Sequence, residues 1–301
     1  MTLAFNFDHV QTVEFGIGKD HDAGRVFMII PVDADVQDAL LDMAKVTWQS
    51  LSKFEEGPVS YEPSEKHASI EYLYLPLTND LAASMRELHQ ANNLSIDAGA
   101  LDEPNQIFTY FARLTDAQGN RLTALRRATQ FKGILKSRLI RLVTNALRLV
   151  EDDVFKLDAD FDLLIDSDQI HILRPASFEF AGQLQQAVMN AVPTNIEGLS
   201  ADLPFVAFDV IGQYAARHAR AARYLASIRA GDETKNINER KLKALCKRTG
   251  VIVTQRAGQI HVEDSEVMGF LEVLDRRRYG LELVDGQPEL YRAPSRQRIR
   301  Q

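Results

Sequence analysis

The chain has 301 residues, of which 45% are hydrophobic and 26% are charged, and its formal net charge is −7. This composition is ordinary for a globular protein, and the longest purely apolar run, Val26–Ile30, is far too short to cross a bilayer. Cys246 is the only cysteine, which excludes an intrachain disulfide and a multi-cysteine zinc site.

The first residues lack a basic segment followed by a long apolar stretch, so they do not predict a secretory signal peptide. We therefore expect a cytoplasmic protein that does not insert directly into a membrane. A length near 300 residues allows two domains, or one core with a smaller appended unit.

The N-terminal part alternates strand-like and helix-like segments. Its strands are rich in β-branched and aromatic residues, and its first helix repeats apolar side chains, from Val36 to Phe54, at helical spacing. In chain order the patterns predict a strand at 4–17, a polar turn at 18–22, a strand at 25–31, a helix at 34–55, a strand at 69–75, a helix at 79–92, and a hairpin at 105–128 that closes at 116–120.

Residues 137–150 fit two structures equally well. Leu139, Val143 and Leu147 would lie on one apolar stripe of a helix, whereas Thr144-Asn145 would make a turn between two short strands. Either structure makes the arginines of this segment surface candidates.

The remaining elements follow from the same signals. Glycine just after a periodic segment indicates a helix end, and Asn or Ser followed three residues later by Glu indicates a helix start. The patterns predict strands joined by acidic turns at 154–173, a helix at 177–191, a longer helix at 204–230, a helix that a capping box of Asn236 and Glu239 opens and Gly250 closes, a hairpin at 251–262, a helix at 265–279 and a hairpin at 281–291.

These elements together predict an α+β fold. Residues 1–200 would form a mixed or antiparallel sheet with packed helices, and residues 201–301 would form a basic helical linker and a smaller C-terminal unit. The helix–hairpin–helix–hairpin order of that unit is loosely like a winged-helix module.

Motifs for catalysis are missing from the sequence. No Gly-x-Ser-x-Gly elbow occurs, Cys246 lies on an apolar stripe, and the seven histidines show no metal-ligand spacing. We therefore expect neither an enzyme nor a bound cofactor. The best enzymatic alternative is a metal-dependent nuclease with Glu239-Arg240-Lys241 as its diad, but such a diad belongs on a core strand and this one lies in a predicted helix.

Five aspartates crowd into the stretch from Asp158 to Asp168. Carboxylates at alternating positions of a strand share one face and could hold Mg²⁺ or Ca²⁺. The favoured interpretation is that these aspartates end strands and accept hydrogen bonds from turn backbone, because no acid elsewhere completes an obvious metal site.

Positive charge is concentrated in two segments. Residues 119–148 hold eight basic and no acidic residues, and residues 212–248 hold ten basic and three acidic residues. Such blocks either neutralise acidic blocks within the fold or an oligomer, or form a surface that attracts a polyanion. Because phosphate contacts are blind to base sequence, the second interpretation predicts sequence-independent binding of duplex DNA. The candidate contacts are Arg126, Arg127, Lys132, Lys136, Arg138, Arg141, Arg217, Arg220, Arg223, Arg240, Lys243, Lys247 and Arg248.

One stretch resembles a known family. Residues 154–165 (VFKLDADFDLLI), Ile170–Leu173 and Ser177-Phe178-Glu179 resemble the central signature of the KwaB family of the two-gene Kiwa anti-phage defence systems. The signature is a hydrophobic-Lys-Leu-Asp-x-x-Phe-Asp strand, a second short strand, and a Phe-Glu pair that opens a helix. We interpret the matching residues as structural; they are Lys156, Leu157, Asp158, Phe161, Asp162, Phe178 and Glu179.

The resemblance implies a cytoplasmic DNA-binding effector that forms homo-oligomers and is recruited to the inner membrane by a membrane-spanning, KwaA-like partner. Its implied role is to restrain phage DNA replication. The candidate DNA contacts come from the charge pattern and have no family motif behind them. A remaining alternative is a protein-interaction scaffold without DNA contact, whose acidic blocks would dock basic segments of a partner.

Overall fold

The computed structural model describes residues 5–21, 24–54, 57–65, 67, 72–97, 101, 106–128, 140–143, 146–149, 157–284 and 287–293. The fold is α+β, as predicted. The chain divides into two compact units: unit 1 is Met1–Ser60 with Ser69–Gly182, and unit 2 is Tyr61–Ala68 with Gln183–Gln301. The predicted domain boundary at residue 200 stays a prediction, because a compact unit is not by itself an independently folding domain.

Unit 1 is built on one mixed sheet. Its strand order is β3-β4-β11-β10-β7-β6-β1-β2-β5, and β8 and β9 pair separately as a short hairpin. The strands are β1 (Val10–His21), β2 (Gly24–Ile30), β3 (Val59–Ser60), β4 (Leu73–Pro76), β5 (Ser95–Ile96), β6 (Ile107–Asp116), β7 (Arg121–Arg127), β8 (Ile140–Val143), β9 (Ala146–Leu149), β10 (Leu163–Ile165) and β11 (Gln169–Ile172).

Helix α1 (Ala34–Leu51) covers part of this sheet. The Asp33 side chain accepts a hydrogen bond from the Val36 N–H and so caps the first turn. Leu40, Met43 and Ala44 are buried on the face that joins the core of β1, β6 and β10. The helix that the apolar periodicity of the sequence predicts is therefore confirmed. Two shorter helices complete the unit, α2 (Ala83–Gln90) and α3 (Pro175–Ala181).

Unit 2 is mainly helical and carries two separate hairpins. Helix α7 lies at its centre and packs against α4, α5, α6 and α9. The elements are α4 (Leu184–Asn190), α5 (Val192–Asp202), α6 (Asp209–Ala215), α7 (Ala219–Ala230), α8 (Glu239–Arg248), β12 (Val253–Arg256), β13 (Gln259–Val262), α9 (Val267–Leu274), β14 (Arg278–Val284) and β15 (Gln287–Arg292).

Several predicted elements are confirmed. They include the first helix, the hairpin of β6 and β7, and the C-terminal succession of α8, hairpin, α9 and hairpin. In residues 137–150 the structure has the two strands β8 and β9 rather than a helix. The likeness to a winged helix stays a hypothesis.

Other predicted elements are wrong. Residues 204–208 are not helical, and residues 209–230 form two helices, α6 and α7, separated by residues 216–218, rather than one helix. The predicted helix at 177–191 is broken where Gln183 adopts a positive φ of 48°. Of the strands predicted at 154–173, β10 and β11 with the acidic turn between them are confirmed, whereas residues 157–162 form an irregular loop that precedes β10. Asp158, Asp160 and Asp162 therefore do not alternate along a strand, which was the basis for placing their carboxylates on one metal-binding face.

Candidate nucleic-acid interface

The first basic block is only partly described. Lys132, Lys136 and Arg138 lie outside the described residues, and Arg141 lies in β8, where only the backbone is described. Arg126 and Arg127 end strand β7 in unit 1.

Arg126 is held in a network of aspartates. Its Nε lies 3.2 Å from Asp158 Oδ2, and its Nη1 lies 2.6 Å from Asp160 Oδ1 and 3.1 Å from Asp162 Oδ1. Arg174 binds the same group from the other side, with Nη1 2.5 Å from Asp162 Oδ1 and Nη2 2.8 Å from Asp160 Oδ2. Two guanidinium groups against three carboxylates leave a net charge of −1, so Arg126 has little charge left for a polyanion.

Arg127 also makes contacts within unit 1. Its backbone N–H donates to Asp162 Oδ2 at 2.9 Å, and its guanidinium lies 4.0 Å above the centre of the Phe180 ring. Arg25 stacks on the same ring at 4.9 Å and on Phe108 at 4.0 Å. This alternation of arginine and phenylalanine fixes α3 against the sheet through cation–π contacts.

The described aspartates act as turn and ion-pair residues. Asp166 Oδ1 accepts hydrogen bonds from the backbone N–H groups of Asp168 and Gln169, which closes the turn between β10 and β11. Burial disfavours the ionised form of Asp166, but hydrogen bonds from His171 and this backbone outweigh it and lower its pKa. Within the described ranges, no group of three or more His, Cys, Asp or Glu side chains could hold a metal ion.

A buried polar chain in unit 1 could not be predicted from the sequence. His171 Nε2 lies 2.9 Å from Asp166 Oδ2, and His171 Nδ1 lies 2.5 Å from the Tyr72 hydroxyl. Burial, together with the charge of Asp166, raises the pKa of Tyr72 to about 12, so this hydroxyl stays protonated at neutral pH. Both Tyr72 and His171 are buried, and this chain of hydrogen bonds links the residue that precedes β4 to β11.

The second basic block places three cations on one face of α8. Arg240, Lys243 and Lys247 follow the spacing i, i+3 and i+7, and Arg240 and Lys247 are exposed. Neither of these two forms an ion pair with another described residue. Lys243 is half-buried, and its Nζ lies 2.8 Å from Gln255 Oε1 and 3.4 Å from Glu239 Oε1.

The cap of α8 lies two residues beyond its predicted position. The Asn238 side chain accepts a hydrogen bond from the Lys241 N–H, so Asn238 rather than Asn236 begins the helix. Gly250 follows the helix with φ +72°, as its predicted role requires.

A groove of 460 Å³ runs between α8 and the residues that lead into β12. Lys243 and Lys247 line one side, and Val251, Val253 and Gln255 line the other. This groove presents ammonium groups beside an apolar floor.

The other predicted contacts lie elsewhere in unit 2. Exposed Arg217 pairs with Asp264 at 3.2 Å, and Arg223 donates to the Pro63 carbonyl at 3.3 Å. Arg248 is exposed, and its Cγ would lie 3.9 Å from a Cβ at Gly280 of β14. Arg220 lies in the first turn of α7 and 3.7 Å from Glu272 of α9.

Arg220 belongs to a cluster that the charge count missed. Arg278 of β14 and Arg292 of β15 pair with the same Glu272, at 2.8 Å and 3.4 Å. These arginines are fourteen residues apart in sequence, and only the register of the hairpin brings them opposite each other. The sequence pattern predicted a hairpin at 281–291, but this range includes neither Arg278 nor Arg292.

The cysteine and the Glu-Arg-Lys diad considered for catalysis both lie in α8. Burial raises the pKa of the Cys246 thiol to about 11, which leaves it unreactive at neutral pH. Glu239-Arg240-Lys241 occupies the first turn of α8, and Glu239 is engaged by Lys243 and Gln255.

Comparison with known proteins identifies one similarity. A family model described as Kiwa protein KwaB-like matches residues 107–283, more than half of the chain. The match runs from β6 through β14 and includes the loop at 157–162, α8 and Glu272. No curated protein and no solved structure matches the chain. Among the described helices, none combines the length and apolar character needed to span a bilayer.

Proposed function

This chain belongs to the Kiwa KwaB-like family and is therefore a component of the Kiwa anti-phage defence system, and from this premise we propose that it binds duplex DNA without sequence preference. The basic face of α8, formed by Arg240, Lys243 and Lys247, is the observation that carries the proposal. Arginine and lysine side chains bind phosphate oxygens of any sequence, and each contact releases condensed counterions.

The proposed binding is non-enzymatic. Its role is to occupy phage DNA and restrain replication, rather than to cut the DNA. The protein acts in the cytoplasm as a homo-oligomer and reaches the inner membrane through a membrane-spanning, KwaA-like partner. Membership in the Kiwa KwaB-like family, which implies a partner, supports the part of this proposal that concerns a second component.

The negative net charge of −7 does not oppose the proposal. Salt screens charges beyond about 10 Å at 0.1 M ionic strength, so a phosphate at the surface responds to the nearest side chains. Arg240 and Lys247 are exposed and form no ion pair with a described carboxylate, which leaves their charge available at that range.

The test is a gel-shift titration with duplexes of unrelated sequence at 50 and 200 mM salt. Wild type should bind all duplexes equally and more weakly at high salt. Arg240→Glu/Lys247→Glu should weaken binding to every duplex and reduce the slope of log K against log salt by about two, because each lost phosphate contact removes about 0.9.

The matched control is Lys45→Glu/Lys53→Glu, which changes the net charge equally on and just after α1 of unit 1. It should retain the wild-type affinity and slope. A wild type that fails to bind at 50 mM salt, or that binds with no dependence on salt, contradicts the proposal.

A further inference from the structure

We infer that Arg220, Arg278 and Arg292 form a second phosphate-binding site in unit 2, organised by the buried carboxylate of Glu272. The inference rests on the proposed function for the identity of its ligand, a phosphodiester group of the nucleic-acid backbone. The residues of this second site all lie outside α8.

The cluster gathers more positive charge than its carboxylate can balance. Glu272 is 2% exposed, and its two oxygens lie 2.8 Å from Arg278 Nε, 3.4 Å from Arg292 Nη1 and 3.7 Å from Arg220 Nη2. Among the described side chains of the cluster, three guanidinium groups against one carboxylate leave a net charge of +2. Like charges at this range repel each other, so the arrangement is more stable when an anion is also present.

The register of the last hairpin makes this repulsion direct. Arg278 and Arg292 are paired residues across β14 and β15, and like charges at paired positions destabilise a hairpin. Glu272, from α9, offsets one of the two charges. Arg220, from α7, then adds a third cation to the same place.

The outer donors of the cluster face solvent. The side chains of Arg220 and Arg292 are 57% and 56% exposed, although each touches the nearly inaccessible Glu272. A guanidinium has five N–H donors, and each of these contacts with Glu272 uses one nitrogen. The remaining donors of both arginines can bind the two non-bridging oxygens of a phosphodiester in the bidentate geometry that arginine favours.

The arrangement is also fixed in position. A Cβ at Gly269 would lie 3.2 Å from the Arg278 guanidinium, so the glycine leaves room for that side chain to lie against α9. Arg220 lies 5.9 Å from the centre of the Tyr224 ring in the next turn of its helix. Guanidinium groups held in place before binding lose less conformational freedom when a phosphate arrives.

The test removes the two exposed arginines and keeps the Arg278–Glu272 ion pair, so that the fold is retained. Arg220→Ala/Arg292→Ala should bind duplex DNA about tenfold more weakly at 150 mM salt, because hydrogen bonds to charged groups are lost. The slope of log K against log salt should fall by about one, because the two arginines bind one phosphate and each lost phosphate contact removes about 0.9. Arg220→Lys/Arg292→Lys should keep the wild-type slope and lose part of the affinity, because lysine retains the charge without the bidentate geometry.

The matched control is Arg229→Ala/Arg256→Ala. These two arginines are also exposed and in unit 2, but neither is a candidate DNA contact, and each pairs with its own carboxylate, Asp202 and Glu263. The control should bind as wild type does. Wild-type affinity and slope in Arg220→Ala/Arg292→Ala would overturn the inference while leaving the proposed function intact, whereas a wild type that does not bind DNA overturns both.

Discussion

A single buried carboxylate, that of Asp162, joins three parts of unit 1. Its oxygens accept hydrogen bonds from the Arg127 backbone N–H and from Arg174, and they lie 3.1 Å from Arg126 Nη1. The neighbouring Phe161 N–H donates to Thr47 of α1, so the same loop is also fixed to the helix. These contacts explain, in physical terms, why a Phe-Asp pair stands at this point of the family signature.

The role of Asp162 predicts a large loss of stability on substitution. Asp162→Ala leaves a buried N–H without its acceptor and two arginines short of a partner, which should lower the free energy of unfolding by about 3 kcal/mol. Urea unfolding followed by the fluorescence of Trp48, the only tryptophan and a residue of α1, reports on this unit. Asp168→Ala is the control, since that side chain is exposed and should cost less than about 0.5 kcal/mol. Equal midpoints for the two variants would show that the network is not structural.

The proposed DNA binding by α8 depends on the stability of the helix itself. Its basic face is useful only if the helix holds Arg240, Lys243 and Lys247 at one side. The helix is held by the Asn238 cap at its start and by buried Leu242 and Cys246 on the opposite stripe. Lysine and arginine in the last turn, Lys247 and Arg248, also interact favourably with the helix dipole.

The position of the cap can be tested at the level of this helix. Asn238→Ala should cost about 1 kcal/mol, because the Lys241 N–H loses its acceptor, and amide exchange across residues 239–248 should become about fivefold faster. Asn236→Ala removes the asparagine of the predicted capping box and should leave that exchange unchanged. Hydrogen-exchange mass spectrometry measures both. Faster exchange in Asn236→Ala alone would place the cap where the sequence pattern puts it.

Local signals account for the elements that were predicted well. Apolar periodicity identifies α1, and the turn residues at 116–120 identify the hairpin of β6 and β7. The break between α6 and α7 could not be predicted, because no proline or glycine marks Arg217 and His218 and the residues on both sides keep a helical pattern. The Asp162 network and the Glu272 cluster depend on contacts between residues distant in sequence, which periodicity does not contain.

At the scale of the whole molecule, the described candidate DNA contacts of unit 1 are engaged within the fold, whereas several of those in unit 2 keep exposed charge. In unit 1, Arg126 forms ion pairs with aspartates and Arg127 stacks on the ring of Phe180. In unit 2 the face of α8 and the cluster around Glu272 both keep exposed cations. The candidate DNA contacts that remain most available among the described residues therefore lie in unit 2.

Two separate phosphate-binding surfaces in one unit predict additive behaviour. The residues of the α8 face and of the Glu272 cluster share no ion-pair partner among the described side chains, and sites without shared partners contribute independently. A variant that combines Arg240→Glu/Lys247→Glu with Arg220→Ala/Arg292→Ala should lose affinity by the product of the two separate factors. Its salt slope should fall by the sum of the two separate decreases, about three. Fluorescence anisotropy with a labelled duplex at four salt concentrations measures both quantities. A combined variant no weaker than either parent would mean that the two surfaces contact the same phosphates, because each contact can be lost only once.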